Sequence, residues 1–228
     1  MMEVREISTN EGIAWDELVN SSRQGNIFLL HEFQTAWLET DSSLYLVRLG
    51  CYDEHGNLIG GQSIFHKKIF GLRIPTALSI FYASTPILSS MVQENNQQQY
   101  AVLSALAQDS RKHFPFLRIE FHPTLNDVRP YLDQGWQAQP EYTYTWKISD
   151  PHAILMDMHR KRSYVRKAQE QFLFAHETGE VIVTDFLRLY RETMQKFDWR
   201  PEEGWGKILS KRIEWMQTRD MVRLYTCR

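Results

Sequence analysis

Cysteine is almost missing from this sequence, which has only Cys51 and Cys227 in 228 residues. The two lie 176 positions apart, so the chain has neither a disulfide framework nor the spacing of a cysteine-based zinc site. Long apolar runs are missing too, and the first residues, MMEVREISTNEG, lack the apolar core of a signal peptide. These absences predict a reduced, cytoplasmic protein without a membrane span.

An excess of charge of one sign is also missing. The net charge is −2 and the isoelectric point is about 6.5, whereas nucleic-acid-binding domains are usually strongly basic. This balance argues against DNA as a partner. The sequence has no nucleophile elbow, no Walker-type phosphate loop and no group of His, Cys, Asp or Glu with metal-ligand spacing, so we expect no metal site.

Apolar residues make up 43% of the chain and aromatic residues 13%, which is enough for a substantial core. Strand and helix periodicities alternate around a clear hairpin turn, DEHGN (Asp53–Asn57), and predict an α/β (α+β) protein. The predicted helices include about His31–Thr40 and Asn95–His113. The predicted strands include the two of the hairpin, Ser43–Tyr52 and Leu58–His66, as well as Ala77–Phe81, Tyr142–Ile148 and Glu180–Val183. The order of elements starts again after residue 175 as a weak internal repeat and stops at Arg228 within a sheet. We therefore expect either a fragment of a longer protein or a last strand that joins the first sheet or another subunit.

The longest predicted helix, Leu155–Ala175, contains no Pro or Gly and many good helix formers. On a helical projection Arg162 falls within the apolar arc, and His159 and Arg166 flank it at i−3 and i+4. A half-buried Arg needs an anion, which is either an internal carboxylate or a ligand. The ligand alternative makes Arg162, Arg166 and His159 candidate substrate-binding residues.

A candidate for acid–base chemistry is Glu120, in the middle of the predicted strand FLRIEF (Phe116–Phe121). An inward-facing carboxylate at this point would have a raised pKa because of its burial. Glu120 is therefore either a catalytic base or the partner of a structural Arg, and no second group for a catalytic dyad is evident.

A basic connection, His66–Pro75, places Lys67, Lys68 and Arg73 around the aromatic Phe70. It is either a contact for phosphate or for an RNA end, or a solvated loop beside a strand.

Several segments, in this order, resemble the FemAB-like proteins, which carry two GNAT-type acyltransferase lobes in tandem. The resemblance covers about 170 residues. The segments are GNIFLLHEFQTAW (Gly25–Trp37), LVRLGCYDEHGNLIGGQSIF (Leu46–Phe65), FLRIEFHP (Phe116–Pro123), GWQ (Gly135–Gln137), TYTWKI (Thr143–Ile148) and above all RKRSYVRKAQEQ (Arg160–Gln171).

The resemblance implies a GNAT-like first lobe with a mixed sheet at 1–150, a connecting basic helix at 151–175 and the start of an incomplete second lobe at 176–228. It also implies transfer of an acyl or aminoacyl group to an amine of a cell-wall precursor or another small anionic acceptor. The donor implied is acyl-CoA or aminoacyl-tRNA. Arg162 takes the position of the family's phosphate-contacting Arg.

Two departures from the family pattern stand out. Trp37 is followed by Leu-Glu-Thr-Asp, without the Lys expected of enzymes that act on nucleotide-linked precursors. The coenzyme A loop of single-lobe acetyltransferases is not found, so no cofactor is evident from the residues. Catalysis is therefore expected only if the second lobe is completed, and the alternative is a catalytically silent module that binds a ligand or a partner.

Overall fold

The computed structural model of the protein describes residues 2–76, 83–114, 116–142, 162–198 and 204–227. The chain divides into two units, Met1–Gln139 and Pro140–Arg228. The predicted boundary at residue 150 and the predicted start of the long helix lie outside the described residues. The same holds for the predicted strand at Ala77–Phe81 and for nearly all of the one at Tyr142–Ile148.

The first unit is built on a long antiparallel hairpin of β2 (Leu44–Tyr52) and β3 (Leu58–Ile69). In the turn, the Asp53 carboxylate accepts hydrogen bonds from the backbone N–H groups of His55 and Asn57. Gly56 follows with φ +80°, a conformation that glycine adopts without steric cost. The predicted hairpin is confirmed, and its second strand is three residues longer than the sequence indicates.

Three short strands complete the sheet of the first unit. They are β1 (Glu3–Glu6), which pairs with β2, and β4 (Leu72–Pro75) and β5 (Ile87–Leu88), which both pair with β3. The α/β class is confirmed. The mixed sheet that the resemblance implies is not confirmed, because every described strand pair is antiparallel. A parallel pair would require a crossover connection between its strands.

Helices cover both faces of this sheet. They are α1 (Gly12–Ser21), α2 (His31–Thr40), α3 (Ser90–Gln93), α4 (Asn96–His113) and α5 (Arg129–Leu132). Two successive glycines of β3 allow the closest approaches. A Cβ atom on Gly60 would lie 2.5 Å from Val102 of α4, and one on Gly61 would lie 2.6 Å from the Trp15 ring of α1. Since neighbouring strand residues face opposite sides, these two positions bring a helix onto each face.

The second unit contains α6 (Arg162–Gln171), α7 (Glu180–Gln195), α8 (Trp205–Gln217) and the antiparallel pair β6 (Phe174–Glu177) and β7 (Leu224–Cys227). The buried apolar side chains of its described part are few, namely Ile182, Val183 and Ile213. Tyr190 of α7 stacks on Trp205 of α8 at a ring distance of 5.3 Å.

Two predicted elements of the second unit are wrong. The long helix ends at Gln171 rather than Ala175, because residues 174–177 pair with the last strand. The strand predicted at Glu180–Val183 is the first turn of α7. Its β-branched residues indicate a strand, but Ile182 begins a helical repeat with Phe186 and Tyr190, and tertiary packing of that stripe overrides the local preference.

Two predicted elements of the first unit are also wrong. The basic connection after His66 is not a loop but the end of β3, a two-residue turn and β4. The segment Phe116–Phe121 alternates between exposed and partly buried residues as a strand would, yet it has no described strand partner. Leu117, Ile119 and Phe121 pack against the core, so burial of one side of the segment accounts for the alternation without a ladder to any of the described strands.

Candidate functional site

A cleft in the first unit lies beside the middle of β3, where Ile64 and Phe65 line it. The outer part of β3 pairs with β4, from His66 opposite Pro75 onward, and the inner part pairs with β5 at Gly60 and Gly61. Next to β4, the Thr76 N–H donates to the carbonyl oxygen of Phe65 at 2.9 Å. The cleft has a volume of about 840 Å³.

The floor of the cleft is fixed by buried polar side chains. Ser63 Oγ donates to the carbonyl oxygen of Ala83 at 3.0 Å, and Gln62 Nε2 donates to that of Ser84 at 2.9 Å. Gln62 and Ser63 are fully buried. Their side chains thus fix the backbone of Ala83 and Ser84, both of which line the cleft.

A second layer of buried polar groups supports Ser63. Gln34 Nε2 donates to Ser63 Oγ at 2.8 Å, and the Arg48 Nε–H donates to Gln34 Oε1 at 2.6 Å. Burial lowers the pKa of Arg48 to about 10, and the nearby Asp16 carboxylate opposes this shift. Sequence reasoning missed this network, because a Gln or Arg on a predicted helix or strand carries no local signal of burial.

Charged side chains line the opposite wall of the cleft. Arg118 and Glu120 both face it, because the apolar residues between and beside them pack inward against the core. Arg118 Nη2 lies 3.9 Å from Glu120 Oε1. The structure therefore places Glu120 in a cleft, as a catalytic candidate should be, but exposed rather than buried. The Arg118 side chain is itself 72% exposed, so the alternative, pairing with a structural Arg, stays a prediction.

The third wall joins the end of α4 to residues 135–137. The Arg111 guanidinium donates to the carbonyl oxygen of Gln134, and Trp136 Nε1 donates to the carbonyl oxygen of Ala107 at 3.2 Å. Gly135, between these contacts, has φ +77° and brings the chain back against the helix. Arg111 thus adds a second guanidinium to the lining of the cleft.

The cleft combines two kinds of surface. The floor is apolar and includes the buried rings of Phe65 and Phe114, whereas the rim carries Arg111, Arg118 and Glu120. An arrangement of this kind suits a ligand with an apolar part and an anionic part, since the guanidinium groups complement a phosphate or carboxylate. The Glu120 carboxylate is positioned to accept a proton from a bound group.

The structure divides the three cations of the predicted phosphate contact between the two faces of the β3–β4 ladder. Lys68 lies opposite Arg73 on one face, and Lys67 lies on the other. Arg73 Nη1 lies 3.1 Å from Glu6 Oε1 and 3.0 Å from His113 Nδ1, so it ties β4 to β1 and to the end of α4. Lys68 Nζ lies 4.5 Å from the centre of the Tyr45 ring. The phosphate contact stays a prediction.

The candidates on the long helix are only partly described. His159 and the side chain of Arg162 lie outside the described part of the chain. Arg166 is exposed, and its Nε lies 3.8 Å from Glu170 Oε1, one helical turn further on. Of the predicted site residues, the structure therefore places Glu120 in a cleft, and the set on the long helix stays a prediction.

Burial lowers the pKa of His66, and the positive charges of Arg73 and Lys68 lower it further. Below about pH 6.5 the His66 side chain therefore binds a proton in the unfolded chain but not in the folded chain. Proton binding then favours the unfolded state, so the free energy of unfolding decreases as the pH falls. We expect His66→Phe to reduce the acid-side slope of the unfolding free energy by up to about 1.4 kcal/mol per pH unit. Denaturant titrations between pH 7 and 5 measure this slope.

The matched control for this prediction is His55→Gln, which changes an exposed histidine of the β2–β3 turn. It is expected to leave the slope as in the wild type. An unchanged slope in His66→Phe would show that the folded chain protonates His66 as readily as the unfolded chain does.

None of the described helices is long and apolar enough to cross a membrane. Within the same residues, no group of three or more His, Cys, Asp or Glu side chains is arranged to hold a metal ion.

Comparisons with known proteins give little. No family model matches the chain, and no curated protein matches it. Among solved structures, an acetyltransferase of Trypanosoma brucei superposes with a TM-score of 0.37 at 12% sequence identity, over 64% of this chain and 99% of that one. A superposition at this level carries no argument about fold family or activity, so the functional case depends on the cleft and on the resemblance of the sequence segments.

Proposed function

We propose that this chain is an acyl- or aminoacyl-transferase of the FemAB-like kind, with a GNAT-like first lobe. It would transfer an acyl group to an amine of a cell-wall precursor or another small anionic acceptor. The observation that carries the proposal is the cleft beside the middle of β3, which combines an apolar floor with the carboxylate of Glu120 and the guanidinium groups of Arg111 and Arg118.

The residues of the cleft match the steps of the reaction. A neutral amine attacks the acyl carbonyl carbon, the nitrogen loses a proton, and the bond from the acyl group to the donor breaks. Glu120 would take the proton from the attacking amine, directly or through a water molecule. The two guanidinium groups would hold the phosphate or carboxylate groups of the donor or acceptor.

The acceptor is proposed to bind beside the basic edge of the long helix, through Arg162, Arg166 and His159. The sequence resemblance supports this part, since Arg162 takes the position of the family's phosphate-contacting Arg. The donor is proposed to be acyl-CoA or aminoacyl-tRNA, and both present phosphate groups to the guanidinium groups of the cleft.

A catalytically silent binding module is the second candidate function. The contact that favours it is the 3.9 Å approach of Arg118 Nη2 to Glu120 Oε1, because a carboxylate that faces a guanidinium is oriented toward that cation rather than toward an attacking amine. A module of this kind would use the same cleft and the same cations for binding alone.

The binding part of the proposal is tested by titrating the isotope-labelled chain with acetyl-CoA and following its backbone amide resonances. We expect the largest shifts at Ile64, Phe65, Ser84 and residues 117–120, with a second group along α6 only when an anionic amine acceptor is added. Shifts confined to α6, with the cleft resonances unchanged, would remove the cleft as the donor site.

A further inference from the structure

The turn between β3 and β4 presents an aromatic side chain at a position that does not favour one. Phe70 is fully exposed, with a relative exposure of 101%, and its φ is +49°. Gly71 follows with φ +80°, so both central residues have the positive φ of a type I′ turn, for which Asn-Gly is the preferred pair. Phe at this site has an unfavourable backbone conformation and leaves its ring in water, and no contact within the hairpin compensates for either.

The apolar surface continues from the turn along one face of the hairpin. Ile69 lies opposite Leu72, and Lys67 lies opposite Ile74. Because residues two apart share a face of a strand, these four side chains lie together. Ile69, Leu72 and Ile74 have relative exposures of 47%, 64% and 38%. We call the surface formed by Ile69, Phe70, Leu72 and Ile74 the hairpin tip.

Positive charge lies directly behind the hairpin tip. Lys67 precedes Ile69 on the same face, and Lys68 lies opposite Arg73 on the other face. Arg73 is held by Glu6 and His113, so it anchors the hairpin to the rest of the unit. The hairpin is therefore a supported projection whose end is apolar and whose sides carry two lysines.

We infer that the hairpin tip docks on an anionic lipid surface. Phe70, Ile69 and Leu72 would enter the boundary between headgroups and acyl chains, and Lys67 and Lys68 would lie at the depth of the lipid phosphates. An exposed aromatic and aliphatic end gives hydrophobic binding, and lysines one or two residues behind it are attracted to anionic headgroups. This inference does not depend on the proposed function.

RNA fits the hairpin tip less well than lipid does. Only one of its four side chains can stack on a base, and three are aliphatic, whereas surfaces that bind single strands present several aromatic rings along a basic groove. An anionic bilayer, by contrast, offers the apolar interior that the aliphatic side chains require.

The test is co-sedimentation of the full chain with vesicles of phosphatidylcholine and phosphatidylglycerol in equal parts, and with vesicles of phosphatidylcholine alone. The wild type is expected to bind the anionic vesicles and to bind them less at high salt. Phe70→Asn removes the ring but supplies the residue that the turn prefers, so the fold is expected to persist while vesicle affinity falls about tenfold or more.

A second variant tests the charge. Lys67→Gln with Lys68→Gln is expected to lower the affinity for anionic vesicles by roughly fivefold per lysine and to leave binding to neutral vesicles unchanged. Two controls change equivalent features elsewhere in the unit. Ile13→Asn removes an apolar side chain that is 78% exposed on α1, and Lys112→Gln removes an exposed lysine on α4. Both are expected to bind as the wild type does.

Several outcomes would overturn this inference. One is a wild-type chain that does not bind anionic vesicles, and another is equal binding of wild type and Phe70→Asn. Equal affinity for anionic and neutral vesicles would also overturn it, since the lysines would then have no role. If Phe70→Asn instead abolishes self-association or retention of RNA while vesicle binding persists, the tip contacts a second copy or RNA and not lipid.

Discussion

Glu120→Gln is expected to lower the rate of acyl transfer to an amine by about 100- to 10,000-fold, which is the usual contribution of a positioned general base. The amide has nearly the same shape as the carboxylate but cannot accept the proton of the attacking nitrogen. Because Glu120 is exposed at the cleft wall, the change is expected to leave the fold intact. Pre-steady-state measurement of product formation with saturating donor gives the rate directly.

The control for Glu120→Gln is Glu94→Gln, which alters an exposed carboxylate paired with Arg23 on the surface of the same unit. We expect it to react at the wild-type rate. Binding of the donor to Glu120→Gln is expected to stay within a few-fold of the wild-type value, since the guanidinium groups remain. A Glu120→Gln chain that transfers the acyl group at full rate would exclude Glu120 as the base.

Gln62→Leu is expected to destabilise the first unit by about 2–4 kcal/mol. Gln62 Oε1 accepts hydrogen bonds from Ser110 Oγ at 2.9 Å and Tyr131 OH at 3.5 Å, and Nε2 donates to Ser84. Leu fills a similar volume but pairs with none of these groups, and each buried polar group left without a partner costs about 1–3 kcal/mol. Denaturant unfolding at pH 7 measures the change.

Two companion variants separate the hydrogen bonds from simple packing. Gln97→Leu, at an exposed position of α4, is expected to change stability by less than about 0.5 kcal/mol. Adding Ser110→Ala to Gln62→Leu removes one of the orphaned hydroxyl groups, so we expect the double variant to be less destabilised than the sum of the single ones. Wild-type stability in Gln62→Leu would mean that the buried network does not hold the cleft floor.

The sequence predicts best those elements whose periodicity and end signals agree. The helix α2 begins and ends where the pattern places it, and α4 begins one residue later than predicted. The start of α4 is marked by Asn95, whose side chain accepts hydrogen bonds from the N–H groups of Gln97 and Gln98. Local chemistry of this kind is fully contained in neighbouring residues, so it can be found without the fold.

The cleft could not be predicted, because its lining comes from segments far apart in the sequence, including β3, Ala83–Ser84, the end of α4 and residues 116–120. Hairpin signals report only a local turn and do not show how such segments meet. Glu120 was found because its segment is strand-like. Arg111, which lines the same cleft, comes from another element, and no spacing in the sequence connects the two residues.

The sequence contains a signal for the direction in which the Glu120 side chain points. Leu117, Ile119 and Phe121 alternate with Arg118 and Glu120, and the apolar set packs inward. Strand alternation therefore indicates that the Glu120 carboxylate points away from the core. A buried catalytic base would require it to point toward the core. The same reasoning identifies Arg118 as the cation that shares its face.

Acyl transfer within the cleft of the first unit is tested most directly by mass spectrometry of amine acceptors after incubation of the wild-type chain with acetyl-CoA or aminoacyl-tRNA. We expect an acceptor whose mass increases by that of the acyl group less one hydrogen, in an amount that falls with Glu120→Gln. Donor binding in the cleft without any acylated acceptor, from either donor, would contradict acyl transfer by this chain and leave a binding module.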